Sequence, residues 1–128
     1  MEGKKKRDLC ERTFQFALRI VNLCQGLSKK PGVEQILAKQ LLRSGTSVGA
    51  NIEEGQAAQS KPDFVSKYSI ARKEARETKY WLRLLAESGI VSHDQTKELL
   101  AECNELIAIL TTIIKKVQNT IDEGRKKG

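Results

Sequence analysis

The chain has 128 residues, enough for one domain with a real core and too few for two. Lysine and arginine number 23 against 16 acidic residues, and the net charge of +7 leans towards polyanions such as nucleic acid or an anionic membrane face. Aromatics are 5% of residues, with two prolines and nine glycines, which disfavours a β-sandwich and favours helices. The surplus charge is uneven: residues 1–7 carry four basic groups and one acidic, and residues 122–128 carry three and two. The three cysteines, Cys10, Cys24 and Cys103, show no C-x-x-C spacing and read as reduced core thiols rather than a disulfide framework. Cys10 and Cys24, fourteen residues apart, fall on one apolar helix face. Residues 1–7 lead into an amphipathic stretch, so no signal peptide is expected, and no run approaches the ~20 apolar residues that span a bilayer. A soluble, cytoplasmic protein without membrane contact follows as the expectation.

Residues 1–8 read as a basic disordered tail carrying Lys4, Lys5, Lys6 and Arg7. A bundle domain is expected over 9–121, and a second basic tail over 122–128. The first helix, 9–27, carries two apolar stripes: Cys10, Phe14, Ala17, Val21 and Cys24, and beside it Phe16, Ile20, Leu23 and Leu27. Two stripes are more than one core contact requires. Gly26 and the run Ser-Lys-Lys-Pro-Gly at 28–32 are expected to end the helix and turn the chain.

The second helix, 33–58, breaks the most rules. Leu37, Leu41, Ser44, Gly45, Val48, Ile52 and Gly55 share one face, although each interior glycine costs roughly 1 kcal/mol against alanine. Gly45, Gly49 and Gly55 therefore read as points of close helix packing, and Gly45-x-x-x-Gly49 as a small-x-x-x-small crossing within the bundle or between subunits. A polar ridge of Gln40, Ser47, Asn51 and Glu54 runs beside the apolar face, with Arg43 among the motif residues. Serine and asparagine are poor helix-interior residues unless partnered, so this ridge is expected to form a semi-buried network that fixes register. Glu54 is expected to pair with Arg72 or a basic residue of another helix.

Ser60, Pro62 and Asp63 mark the start of a third helix over 62–88. Its core stripe is Phe64, Tyr68, Ala71, Ala75, Thr78, Leu82 and Leu85. On one flank lie Arg72, Arg76, Lys79 and Arg83, within about 60° of arc, a candidate phosphate-tracking stripe unless Glu74, Glu77 and Glu87 neutralise it. Ile70, Glu77 and Trp81 on the other flank form a candidate oligomer interface. Gly89 terminates the helix. Ser92 and Gln95 match a capping box opening a fourth helix, whose Leu99, Cys103, Leu106, Leu110, Ile113, Val117 and Ile121 repeat by threes and fours. Four helices on short connections give an all-α, antiparallel up-down-up-down four-helix bundle.

No catalytic constellation emerges. One histidine, His93, supports neither a triad nor a zinc site, no Glu-x-x-His pair suits a di-iron bundle, and the glycines precede no Gly-Lys-Ser/Thr. An enzyme, a cofactor and a metal are therefore not expected. The basic flank and tails point instead to RNA or DNA held through its backbone. Without interleaved aromatics, sequence readout is weak.

The pattern L-x-x-Q-L-x-R followed by S-[VI]-x-A-N-I-x-E-G is carried here by Leu37, Gln40, Leu41, Arg43, Ser47, Val48, Ala50, Asn51, Ile52, Glu54 and Gly55. It closely resembles the small bacterial proteins first found as reading frames in intervening sequences of 23S rRNA genes. Ala71, Ala75, Glu77 and Leu82 continue the likeness, and Glu77-Thr-Lys-Tyr-Trp-Leu82 looks like one branch of it. The resemblance implies a four-helix bundle assembling into a barrel-shaped homopentamer. It extends to accessory proteins of diversity-generating retroelements, which bind nucleic acid and a reverse transcriptase. Gly49 stands where the family commonly has proline, and Glu53 where it commonly has alanine; glycine permits a bend without imposing one. The functional expectation is a non-enzymatic nucleic-acid-binding oligomer, with a reverse-transcriptase accessory subunit or a purely structural oligomer as alternatives.

Overall fold

The computed structural model describes residues 2–127, with side chains for residues 8–126. Four helices follow in order, α1 (Glu2–Ser28), α2 (Val33–Gln56), α3 (Lys61–Glu87) and α4 (His93–Lys127). Connections of four or five residues force each helix to run antiparallel to the one before it, and the result is an up-down-up-down bundle.

The helix starts are written in the side chains. Ser60 sits in extended backbone and its Oγ accepts from the Asp63 amide at 3.2 Å, with Pro62 in the first turn. Ser92 and Gln95 close the expected capping box: the Gln95 amide donates to Ser92 Oγ and the Ser92 amide to Gln95 Oε1, both at 3.2 Å. The turns fall on Gly32 and Gly89, whose φ values of 95° and 79° a side chain rarely tolerates. Gly26, expected to help end the first helix, stays inside α1.

Two boundaries differ from the sequence reading by more than two residues. α1 starts at Glu2 rather than residue 9, and α4 continues to Lys127 rather than stopping at 121. The basic segments expected as tails are rich in lysine and arginine, which are good helix formers, so each helix continues into them. α2 runs without interruption through Gly45 and Gly49.

The core is built from Leu9, Phe16, Ile20, Cys24 and Leu27 of α1, Leu41, Val48 and Ile52 of α2, the expected α3 stripe from Tyr68 to Leu85, and Leu99, Cys103, Leu106 and Leu110 of α4. The second α1 stripe faces inward, joined from the first by Cys24 alone. Phe14 is exposed, Ala17 and Val21 are half-buried, and Cys10, read from its face as a core thiol with Cys24, is half-buried at the edge. α2 decides this choice. A Cβ on Gly45 would come within 2.8 Å of the Ile20 side chain, and one on Gly49 within 3.3 Å of the Thr13 carbonyl oxygen. Both glycines therefore bring the α1 backbone close, and the crossing is internal. Gly55 does the same for α3, where an added Cβ would meet the Tyr68 ring at 2.5 Å.

The pairs α1–α2, α2–α3 and α3–α4 pack along their lengths, whereas α1 and α4 approach closely at few points. Ion pairs clasp that looser seam. Arg12 forks onto Glu102 through Nε at 2.7 Å and Nη2 at 2.6 Å and reaches Glu105 at 2.7 Å; Arg19 meets Glu98 at 3.6 Å. The Arg12 hydrogen bond and charge hold the Glu102 carboxyl below the ordinary carboxylate range, although partial burial opposes them.

Candidate nucleic-acid interface

Arg72, Arg76, Lys79 and Arg83 recur every three or four residues on α3, so they lie in one row on the side that faces α4. Arg72 Nη1 donates to Thr111 Oγ1 of α4 at 3.4 Å, which fixes the register of the two helices. Lys79 lies near enough to Cys103 for its charge to bear on that buried thiol. Arg76 and Arg83 are exposed, and among the described residues none of the four has a carboxylate within 4.0 Å. From Arg72 to Arg83 the row extends about 16 Å. Lys115, one turn beyond Thr111 on the same side of α4, and its neighbour Lys116 are exposed and lengthen the basic surface. The sequence reading passed over these two lysines. The antiparallel register that brings α4 beside the α3 row is the signal that finds them.

The carboxylates that could neutralise the row are engaged elsewhere. Glu74, buried on the opposite flank of α3, accepts from Arg43 Nη1 of α2 at 3.0 Å, and the other arm of the same guanidinium holds Glu77. Glu87 faces His93 at 3.8 Å. α3 thus presents an acidic flank bound to α2 and a basic flank free of ion pairs among the described residues.

The polar ridge of α2 is only partly the expected network. Glu54 pairs with Lys67 at 3.1 Å and not with Arg72, because Gly55 packs against Tyr68 and so sets Glu54 level with the first turns of α3. Asn51 is half-buried and donates to Ser47 O of its own helix at 2.8 Å, Ser47 Oγ donates to Arg43 O at 2.6 Å, and Gln40 is exposed. Arg43 and Ser44 also cross from α2 to α3. Ser44 Oγ lies 3.0 Å from Thr78 Oγ1, both fully buried, and Thr78 donates to Glu74 O at 2.8 Å. A buried hydroxyl pair and an ion-paired carboxylate are costly out of register, so this seam aligns α2 with α3.

Of the candidate interface residues, Ile70 is exposed, Glu77 is held by Arg43, and Trp81 is half-buried against the core with Tyr80 edge-on at 5.1 Å. Trp81 Nε1 is buried without an acceptor among the described residues. The side chains of Lys4, Lys5, Lys6 and Arg7 lie outside the described residues.

Residues 5–112 match the family model described as the 23S rRNA-intervening sequence protein. The chain belongs to the 23S rRNA-intervening sequence protein family. Among solved structures, it is similar to a Bacteroides thetaiotaomicron protein described as being of unknown function from the S23 ribosomal protein family. The two share 42% identity over 84% of this chain and 98% of that one, at a TM-score of 0.78. None of the curated proteins matches the chain. No described helix is long and apolar enough to cross a membrane.

Opposite the basic row, the outward stripe of α1 meets α2 in an apolar groove. Cys10, Phe14, Leu18 and Val21 line one wall, and Thr46, Gly49, Ala50 and Glu53 form the other.

Proposed function

We propose that the chain is a non-enzymatic, oligomeric, cytoplasmic protein that binds RNA or DNA through its phosphate backbone. The observation that carries this reading is the row Arg72, Arg76, Lys79 and Arg83, whose neighbouring carboxylates are drawn to α2 by Arg43. Repeated around the barrel-shaped homopentamer that family resemblance implies, the row would become a multivalent basic surface. Affinity of this origin tolerates many sequences, since guanidinium and ammonium groups contact phosphates and no aromatic platform stands among them. Filter binding of duplex and structured RNA at low salt tests the reading. Wild type binds both and loses affinity steeply as salt rises, whereas Arg72→Glu/Arg76→Glu loses most affinity. No affinity for any nucleic acid at low salt refutes it.

A further inference from the structure

The basic row of α3 continues past Arg72. Lys61, about three turns earlier, lies within about 20° of Arg72 on the helix and is exposed. It stands at the first position of α3, where the positive end of the helix dipole disfavours a cation, so its charge does not serve the helix. Across the seam on α4, Lys97, Lys115 and Arg125 fall within about 40° of Thr111, the residue that Arg72 meets, and all three are exposed. Among the described residues, none of these four cations has a carboxylate within 4.0 Å. Lys115 and Arg125 lie beyond the residues that match the family model.

Among the described residues, the carboxylates of this face stand at its two ends. Glu87 is beside His93 at one end, and Asp122 at the other accepts from Gln118 at 3.1 Å. Between them α4 offers Asn104 and Thr111, neutral and exposed. From Lys61 to Arg83 the two-helix face is about 33 Å long, close to the ~34–36 Å of one duplex turn.

We propose that this face takes a nucleic-acid duplex lengthwise, about one turn of it, with Lys61, Lys97, Lys115 and Arg125 as phosphate contacts beyond the row. The inference rests on the phosphate-binding reading above and adds the ligand class and the extent of the site. Two features favour a duplex over a single strand. The cations sit on two packed helices whose register Arg72 and Thr111 hold, so their line is straight and preset. A duplex, with a persistence length of about 150 base pairs, is already straight over one turn, whereas a single strand gives up conformational freedom to lie along such a line. A duplex also carries one phosphate charge per ~1.7 Å of its axis, so the cations of both helices find partners on its two strands.

Fluorescence anisotropy at rising salt tests this with three probes. Two are hairpin-closed DNA stems of about 6 and about 12 base pairs, roughly 20 and 41 Å long, and the third is an oligo-dT strand with as many nucleotides as the longer stem has base pairs. Wild type binds the long stem at least about tenfold more tightly than the single strand. Lys61→Gln/Lys97→Gln removes one contact at each end and flattens the long-stem slope of log K against log salt by about 1.8 units. The short stem, which the row from Arg72 to Arg83 holds by itself, keeps its slope. Both substituted side chains are exposed, and circular dichroism checks that the variant is folded. A single strand bound as tightly as the long stem overturns the inference. So does a long-stem slope unmoved by the double substitution, or an equal change on both stems. If binding in those cases still falls with Arg72→Glu/Arg76→Glu, the phosphate-binding reading stands without the duplex; no binding of any probe at low salt refutes both.

Discussion

Gly55→Ala is the substitution that most sharply probes how α2 is seated. The new methyl would lie 2.5 Å from Tyr68 Cε1 and 2.6 Å from Cδ1, against the ~3.5–4.0 Å of a relaxed carbon contact. The ring has nowhere to retreat: Tyr68 is fully buried, Phe64 stacks on it with centroids 4.0 Å apart, and Gln56 donates to its hydroxyl. Forcing a methyl into such a site costs about 1–3 kcal/mol, and an overlap of about 1 Å on a rigid ring belongs at the upper end. Alanine returns roughly 1 kcal/mol of helix propensity, so the net loss is about 1–2 kcal/mol. Gly26→Ala is the matched control. It is also inside a helix, but its added Cβ meets nothing within 4 Å, so only the propensity gain of about 0.5–1 kcal/mol remains. Urea denaturation followed by circular dichroism reads both. With a slope near ~1.5 kcal/mol/M, the midpoint falls by about 1 M for Gly55→Ala and rises for Gly26→Ala. Shifts of the same sign would refute the argument that Gly55 is there for close approach.

Arg43→Met leaves the buried Glu74 carboxylate without its ion partner and lowers the urea midpoint; Glu74→Met in the same chain recovers most of that loss in a double-mutant urea cycle. The Glu102 carboxyl is held below its unfolded value of 4.5, so its contribution is present above that pH and is lost as pH falls through the folded value. Urea midpoints measured down the acid limb therefore fall less steeply for Glu102→Gln than for wild type. Burial pushes the Cys24 thiol up to about 11 and Cys103 to about 12. Alkylation of the native protein at mildly alkaline pH, read by mass spectrometry, therefore marks Cys10 first, and all three thiols react only on unfolding.

Much of this bundle is legible in the residues because caps and periodicity act locally. Ser60, Ser92 and Gln95 mark helix starts through bonds made within one turn. The inward stripe of α3 and that of α4 to Leu110 follow from spacing alone; beyond it, Ile114 is buried where Ile113 was expected. What the residues could not reveal depends on partners distant in the chain. Two apolar stripes on α1 are equivalent until Gly45 and Gly49 admit Ile20 and Thr13. Glu54 could reach several basic residues until Gly55 packed against Tyr68 and put Lys67 opposite it. Arg43 read as one motif position among many, although it binds both carboxylates of the α3 flank and so sets the charge of that helix's two sides apart.

The central claim is that the α3 row meets phosphates, and the salt dependence of binding measures it most directly. For duplex DNA, each lost phosphate contact lowers the slope of log K against log salt by about 0.9. Arg76→Gln/Arg83→Gln, two exposed residues with no ion partner among the described residues, should therefore flatten the wild-type slope by about two units per bound chain and weaken all sequences alike. A slope unchanged by this double substitution would contradict the claim.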